Sequence, residues 1–102
     1  MSIKQQILAD KNQVVIAIDN NFDFSLHQLF RESYTNCDTP KTNFILDLSR
    51  TQYMDSSALG MILLLKDHAE QLGGSVTVSK PSDTVYKILE IAQFHRLVTI
   101  EK

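Results

Sequence analysis

Cysteine, tryptophan, proline and glycine are all scarce in this chain, which has Cys37 alone, no Trp, Pro40 and Pro81, and Gly60, Gly73 and Gly74. One thiol excludes an internal disulfide and, without a Cys-x-x-Cys partner, a thiol redox motif, so Cys37 reads as an unreactive thiol beside a loop. With so little Gly and Pro there is no linker, no low-complexity segment and no glycine-rich phosphate loop. An excess of positive charge is also missing. Ten basic against twelve acidic residues give a net charge of −2, which lacks the electrostatic footprint of a nucleic-acid binder. No apolar run is longer than the five residues of Met61 to Leu65, against about 20 for a bilayer span. Met1-Ser2-Ile3-Lys4 begins no signal peptide, so membrane insertion is not expected and a cytoplasmic location is. His27, His68 and His95 lie far apart without ligand spacing and read as surface or packed histidines, so no metal or cofactor is expected.

What is present suits one ordinary domain spanning 1–102, with 43% hydrophobic and 22% charged residues, too apolar for a disordered chain. Ile3 to Leu8 is a weak strand candidate. The β-branched run Val14-Val15-Ile16-Ala17-Ile18 suits a strand covered on both faces. Asp19-Asn20-Asn21 reads as a turn. Ser25 is placed to cap a helix with Leu26, Leu29 and Phe30 on one face, ending near Asn36 before Asp38-Thr39-Pro40. Phe44 to Leu48 is a second strong strand, followed by a polar loop from Ser49 to Tyr53. Asp55 caps a helix that runs to Leu72 and stops at Gly73-Gly74. Ser75 to Ser79 is a short strand, and Ser82 caps a third helix with Val85, Ile88, Leu89 and Ala92 on one face. Leu97 to Ile100 closes the chain as a strand. The order β-β-α-β-α-β-α-β predicts an α/β fold, one mixed sheet with helices packed on it.

The informative stretch is Tyr53-Met54-Asp55-Ser56-Ser57-Ala58-Leu59-Gly60, where a loop gives way to a helix at an acid and two hydroxyls. Capping alone accounts for such residues. At 100° per residue, Ala58, Ile62, Leu65, Ala69 and Leu72 form a core-facing stripe, while Gly60, Leu64 and Asp67 share the opposite side with Ser56. Leu63 sits on the flank of that surface. A helix start with free hydroxyls beside a small apolar surface is a docking site as well as a cap. A hydrolase reading of Ser56 has little support, since no Gly-x-Ser-x-Gly surrounds it and no histidine is placed as its base; the expectation is a protein that is not an enzyme.

At these residues the chain resembles the STAS domain family, specifically its small stand-alone anti-anti-sigma factors, or anti-sigma factor antagonists. The family pattern is hydrophobic-Asp-Ser-Ser/Thr-Gly/Ala-Leu-Gly after a strand of the form hydrophobic-Asp-Leu. Here Asp47-Leu48 precedes Met54-Asp55-Ser56-Ser57-Ala58-Leu59-Gly60, and Gly73-Gly74 with the strand Ser75 to Ser79 also match. Near the N-terminus the family's Gly-x-hydrophobic-Asp becomes Asn20-Asn21-Phe22-Asp23; Asn tolerates positive φ, so the turn survives the change.

The resemblance implies a STAS-like single domain working as a phosphorylation switch. Ser56 would be the phosphate acceptor, modified by an anti-sigma factor with serine kinase activity and restored by a serine phosphatase. Asp23, Asp55, Ser57, Gly60, Leu63 and Leu64 would form the partner-binding surface, with the unphosphorylated protein as the binding form, a monomer or weak dimer. The alternative is a STAS subunit of a membrane transport complex that docks on an ATPase.

Overall fold

The structure is a computed structural model and describes residues 3–102. In chain order its elements are β1 (Ile3–Leu8), β2 (Gln13–Ile18), β3 (Asn20–Phe22), α1 (His27–Glu32), β4 (Asn43–Asp47), β5 (Thr51–Met54), α2 (Ser56–Gln71), β6 (Ser75–Ser79), α3 (Asp83–Ile91) and β7 (Thr99–Glu101). Five strands make the main sheet in the order β1-β2-β4-β6-β7. Only β1 runs antiparallel, as the hairpin partner of β2. The crossovers β2 to β4, β4 to β6 and β6 to β7 all step the same way along the sheet. Since such crossovers are right-handed, α1, α2 and α3 pack on one face.

Burial follows that layout. Val14, Ile16 and Ile18, then Phe44, Leu46 and Leu48, then Val76 and Val78 point into the helical layer and are buried, joined there by Ile62, Leu65, Val85 and Leu89. The alternate residues Val15, Ala17 and Ile45 are only partly buried. The expectation of a β2 covered on both faces is therefore corrected: one face is core and the other has no helix over it. The result is a two-layer mixed α/β domain with a Cα radius of gyration of 12.3 Å.

Two short strands were not expected from the sequence. Asn20 takes the positive φ of 63° that the turn requires, but Asn20–Phe22 then pairs in parallel with Thr51–Met54, which begins inside the stretch Ser49 to Tyr53 read as a polar loop and ends one residue past it. Strands of three and four residues carry too little alternation to be read. Ser25 is not the cap at the start of the first helical segment. Asp23 holds that place, accepting the Ser25 N–H at 3.0 Å ahead of a 3-10 turn, Phe24–Leu26, which leads into α1. Leu26, Phe30 and Tyr34 are buried at i, i+4 and i+8, whereas Leu29 is 47% exposed because the short α1 offers only a narrow strip to the core. The segment past Glu32 continues as turns to Asn36. At α3, Val85 and Leu89 are buried, but Ala92 is exposed just past the helix end. The last strand is Thr99–Glu101 rather than Leu97 to Ile100, because a 3-10 turn, Phe94–Arg96, delays it.

Both ends of α2 match the sequence reading. Asp55 caps it through Ala58 N–H, and it ends in paired bonds from Gly73 N–H to Glu70 and from Gly74 N–H to Ala69, the Schellman closure. Ala58, Ile62, Leu65 and Ala69 are buried as expected; Met61 joins them, and Leu72 is only partly buried.

Candidate functional site

The short β3–β5 ladder determines where the candidate residues meet. Phe22 pairs with Met54, and Asp55 N–H donates to the Phe22 carbonyl at 3.2 Å. The next residues, Asp23 and Asp55, thus leave the ladder side by side, each opening a helical segment. Each carboxylate also accepts the hydroxyl two residues on: Ser25 Oγ donates to Asp23 Oδ1, and Ser57 Oγ donates to Asp55 Oδ1 at 2.5 Å. Two neighbouring Asp-x-Ser corners result. Asp-x-Ser occurs three times in the chain; the third, Asp47-Leu48-Ser49, has its Ser49 N–H bonded to Asp47 Oδ1 at 2.9 Å but opens no helical segment, so only the Asp23 and Asp55 corners stand at helix starts.

The middle residue distinguishes the corners. In the second corner it is Ser56, exposed in the first turn of α2, whose hydroxyl makes no hydrogen bond among the described residues. Ser57, by contrast, is partly buried and its hydroxyl is taken by Asp55. In the first corner the middle residue is Phe24, 63% exposed, its ring stacked on His27 with centroids 4.8 Å apart. Sequence reasoning missed Phe24, because an apolar residue two before a buried Leu reads as core.

Asp55 is electrostatically engaged. The Ser57 hydroxyl, and after it the Ala58 and Ser57 backbone N–H groups, hold its carboxyl below the usual aspartate range. It is therefore ionised at neutral pH and already occupies part of the helix N-terminus, where amides and dipole favour negative charge.

Along α2 the other expected contact residues share the solvent side. Gly60 is exposed, and a Cβ there would meet nothing within 4 Å. Leu63 is 38% and Leu64 57% exposed. Leu64 also lines a groove between α1 and α2 with Arg31, Tyr34, Asp67 and His68. The structure thus gathers Ser56, Gly60, Leu63 and Leu64 on one helix face and brings Asp23 beside Asp55. Ser57 belongs to the cap, below that face.

Other groups are occupied structurally. His68 bonds through Nε2 to the Cys37 carbonyl at 2.8 Å, with the Tyr34 and Phe44 rings packed against it. Burial pushes the Cys37 thiol up. Among the described residues no group of three or more His, Cys, Asp or Glu is arranged to hold a metal ion, and no helix is long and apolar enough to cross a membrane.

Comparison with known proteins identifies the family. The STAS domain family model matches residues 4–102. A STAS-domain containing protein of Pseudomonas aeruginosa (strain UCBPP-PA14) is 39% identical over 100 residues, covering 98% of this chain and 99% of the relative. Among solved structures, the anti-sigma factor antagonist SpoIIAA in its unphosphorylated form aligns with a TM-score of 0.74 at 19% identity, covering 98% of this chain and 87% of that one. The phosphorylated form of the Bacillus protein aligns at 0.64 and 17% identity, over 98% and 91% of the two chains. A sulfate transporter family protein from Wolinella succinogenes aligns at 0.77 with 19% identity, over 94% and 80%. At such identities the structural matches establish the fold. With the family match over nearly the whole length and the relative at 39% identity, the chain belongs to the STAS domain family.

Proposed function

We propose that this protein is a phosphorylation-switched regulatory binding protein of bacteria, a cytoplasmic anti-sigma factor antagonist. In its unphosphorylated form it binds an anti-sigma factor with serine kinase activity; that kinase phosphorylates Ser56, and a serine phosphatase restores the binding form. It performs no catalysis itself. The observation that carries this reading is the Ser56 hydroxyl, exposed in the first turn of α2 and without a hydrogen bond among the described residues, between a cap that sequesters Ser57 and a neighbouring corner that supplies Asp23.

Phosphate there adds about −1.5 to −2 charges and three acceptor oxygens. A helix N-terminus offsets added negative charge by about 0.3–1 kcal/mol at an exposed site. Here the Ala58 amide is already engaged by Asp55. That leaves less offset for a phosphate, but Ser56 is exposed and its hydroxyl is no part of the cap, so the domain stays folded while a surface that accepted a neutral hydroxyl beside Gly60, Leu63 and Leu64 meets a phosphate next to Asp55 and Asp23. The switch acts on the interface.

Mass spectrometry of the protein from its native cells, joined to binding assays of Ser56→Ala and Ser56→Asp with the anti-sigma kinase, tests this. Ser56→Ala is expected to bind and Ser56→Asp to lose at least tenfold in affinity. Equal binding by both, or an unmodified Ser56 in every growth condition, overturns it. Leu64→Asp is expected to weaken the same binding while changing stability by less than about 0.5 kcal/mol, as at other exposed sites.

The fold shared with a sulfate transporter family protein supports a second reading, a STAS subunit docking on the ATPase of a transport complex. Co-purification with an ATPase that ignores the state of Ser56 would favour it.

A further inference from the structure

The face of the main sheet turned away from the helices carries the strongest unanswered question in the fold. Parallel strands ordinarily lie between two covering layers, yet here the three crossovers all fall on one side. Strand register arranges the uncovered side chains in rows. One row runs Lys4, Ala17, Asp47, Ser79, Glu101 from β1 to β7. The next runs through Val15, Ile45 and Thr77 at its centre, the first two partly buried and Thr77 recessed to 9% exposure. The first row is oppositely charged at its two ends, and the second is β-branched in its middle.

We propose that this face pairs with the same face of a second copy, about a twofold axis that runs along the strands over β4. That operation lays β1 over the partner's β7 and β2 over the partner's β6. Lys4 then meets the partner's Glu101, Val15 meets the partner's Thr77, and Ile45 meets its own equivalent on the axis. Charge self-complementarity selects this occupant and this axis. A crosswise twofold axis turns each strand back over its own copy, and Lys4 then has no acid opposite it.

The interface is small. With strands about 4.8 Å apart and a rise of about 3.3 Å per residue, the face measures roughly 20 × 15 Å. That is on the order of 300–400 Å² per copy, well under the roughly 800 Å² per partner of a standard stable interface. The dimer is accordingly weak and reversible. One contact opposes it: Asp47 faces the partner's Asp47 near the axis, so the geometry also requires that removing this charge tighten the dimer. Because the axis follows the strands, both Ser56 corners sit at the same pole, free of the interface. A dimer would offer a partner two docking sites on one side.

Sedimentation velocity of the full chain from about 10 µM to 1 mM tests the proposal, independently of whether Ser56 is a switch. The sedimentation coefficient of the unmodified protein is expected to rise with concentration. Ile45→Lys should abolish the rise. Lys4→Glu should weaken association several-fold, and Lys4→Glu combined with Glu101→Lys should restore it. Asp47→Asn should tighten it. Lys4 and Glu101 are exposed, so their variants keep the test decisive even if Ile45→Lys fails to fold. A single monomeric species at 1 mM, self-association indifferent to the Lys4 and Ile45 changes, as in edge pairing through β1, or a charge swap that restores nothing overturns the proposal.

Discussion

Each end of α2 carries a glycine, and the two sit in opposite surroundings. A Cβ at Gly60, one turn in from the N-terminus, would meet nothing within 4 Å; one at Gly74, just past the C-terminus, would land 1.8 Å from the Thr42 carbonyl oxygen. The C-terminal end is where the fold is closed against its neighbour, and Ser75 N–H donates to that same Thr42 carbonyl at 3.2 Å. The N-terminal end is where surface has been left open. Gly60 answers no packing demand of the fold, and the open space beside Ser56 is what the proposed docking surface calls for.

The largest effect is expected at the closed end. Gly74→Ala forces backbone against backbone, which no rotamer change relieves, and should cost about 3 kcal/mol or more. For a domain of this size that lowers the thermal midpoint by on the order of 15 °C. A midpoint within about 3 °C of the unmodified protein would show that the β4 approach is loose and would remove the contrast between the two ends.

A middle-sized effect is expected at the cap. Asp55→Ala frees the Ala58 N–H and the Ser57 hydroxyl together and should lower the midpoint by about 5 °C at neutral pH. The folded state holds the Asp55 carboxyl below its ordinary value, led by the Ser57 hydroxyl. Its contribution is therefore fully present above the unfolded aspartate value near 4 and is lost as pH falls through the lower folded value. Thermal melts of the two proteins from pH 7 down to pH 2.5 should converge at the acid end. A gap that stays constant would mean that the cap works without its charge.

Much of this helix was legible in the sequence because its signals are redundant. Asp55, the apolar period through Ala58, Ile62, Leu65 and Ala69, and the Gly73-Gly74 stop agree over 16 residues. The other corner was read less well. Asp23 and Ser25 are both capping residue types two positions apart, and only the extended backbone of Asp23, φ −136° and ψ −176°, decides that it is the cap. Strands β3 and β5 were invisible for a related reason. Their pairing is a long-range event between segments too short to show a period, yet that pairing sets Asp23 beside Asp55. The exposure of Phe24 depends on the same corner. The uncovered sheet face was misread because Val14 to Ile18 is apolar on both sides, and composition cannot say whether cover comes from the same chain.

The smallest effect, and the sharpest test of the open end, is Gly60→Ala. Within a helix, glycine costs roughly 0.5–1 kcal/mol relative to alanine through the freedom of its unfolded backbone. No atom lies near enough to oppose a methyl group at this position. The substitution should therefore raise stability by about that amount, read as a rise of a few degrees in thermal midpoint. Gly60→Arg has the same freedom in the isolated domain and should fold normally, but its side chain would occupy the space beside Ser56 that a docked partner needs, so partner binding should fall at least tenfold. A stabilised Gly60→Ala together with a folded, non-binding Gly60→Arg separates the demands of the fold from those of the interface. A destabilised Gly60→Ala would instead make this glycine a packing residue like Gly74, and the functional reading of the open end would lose its physical basis.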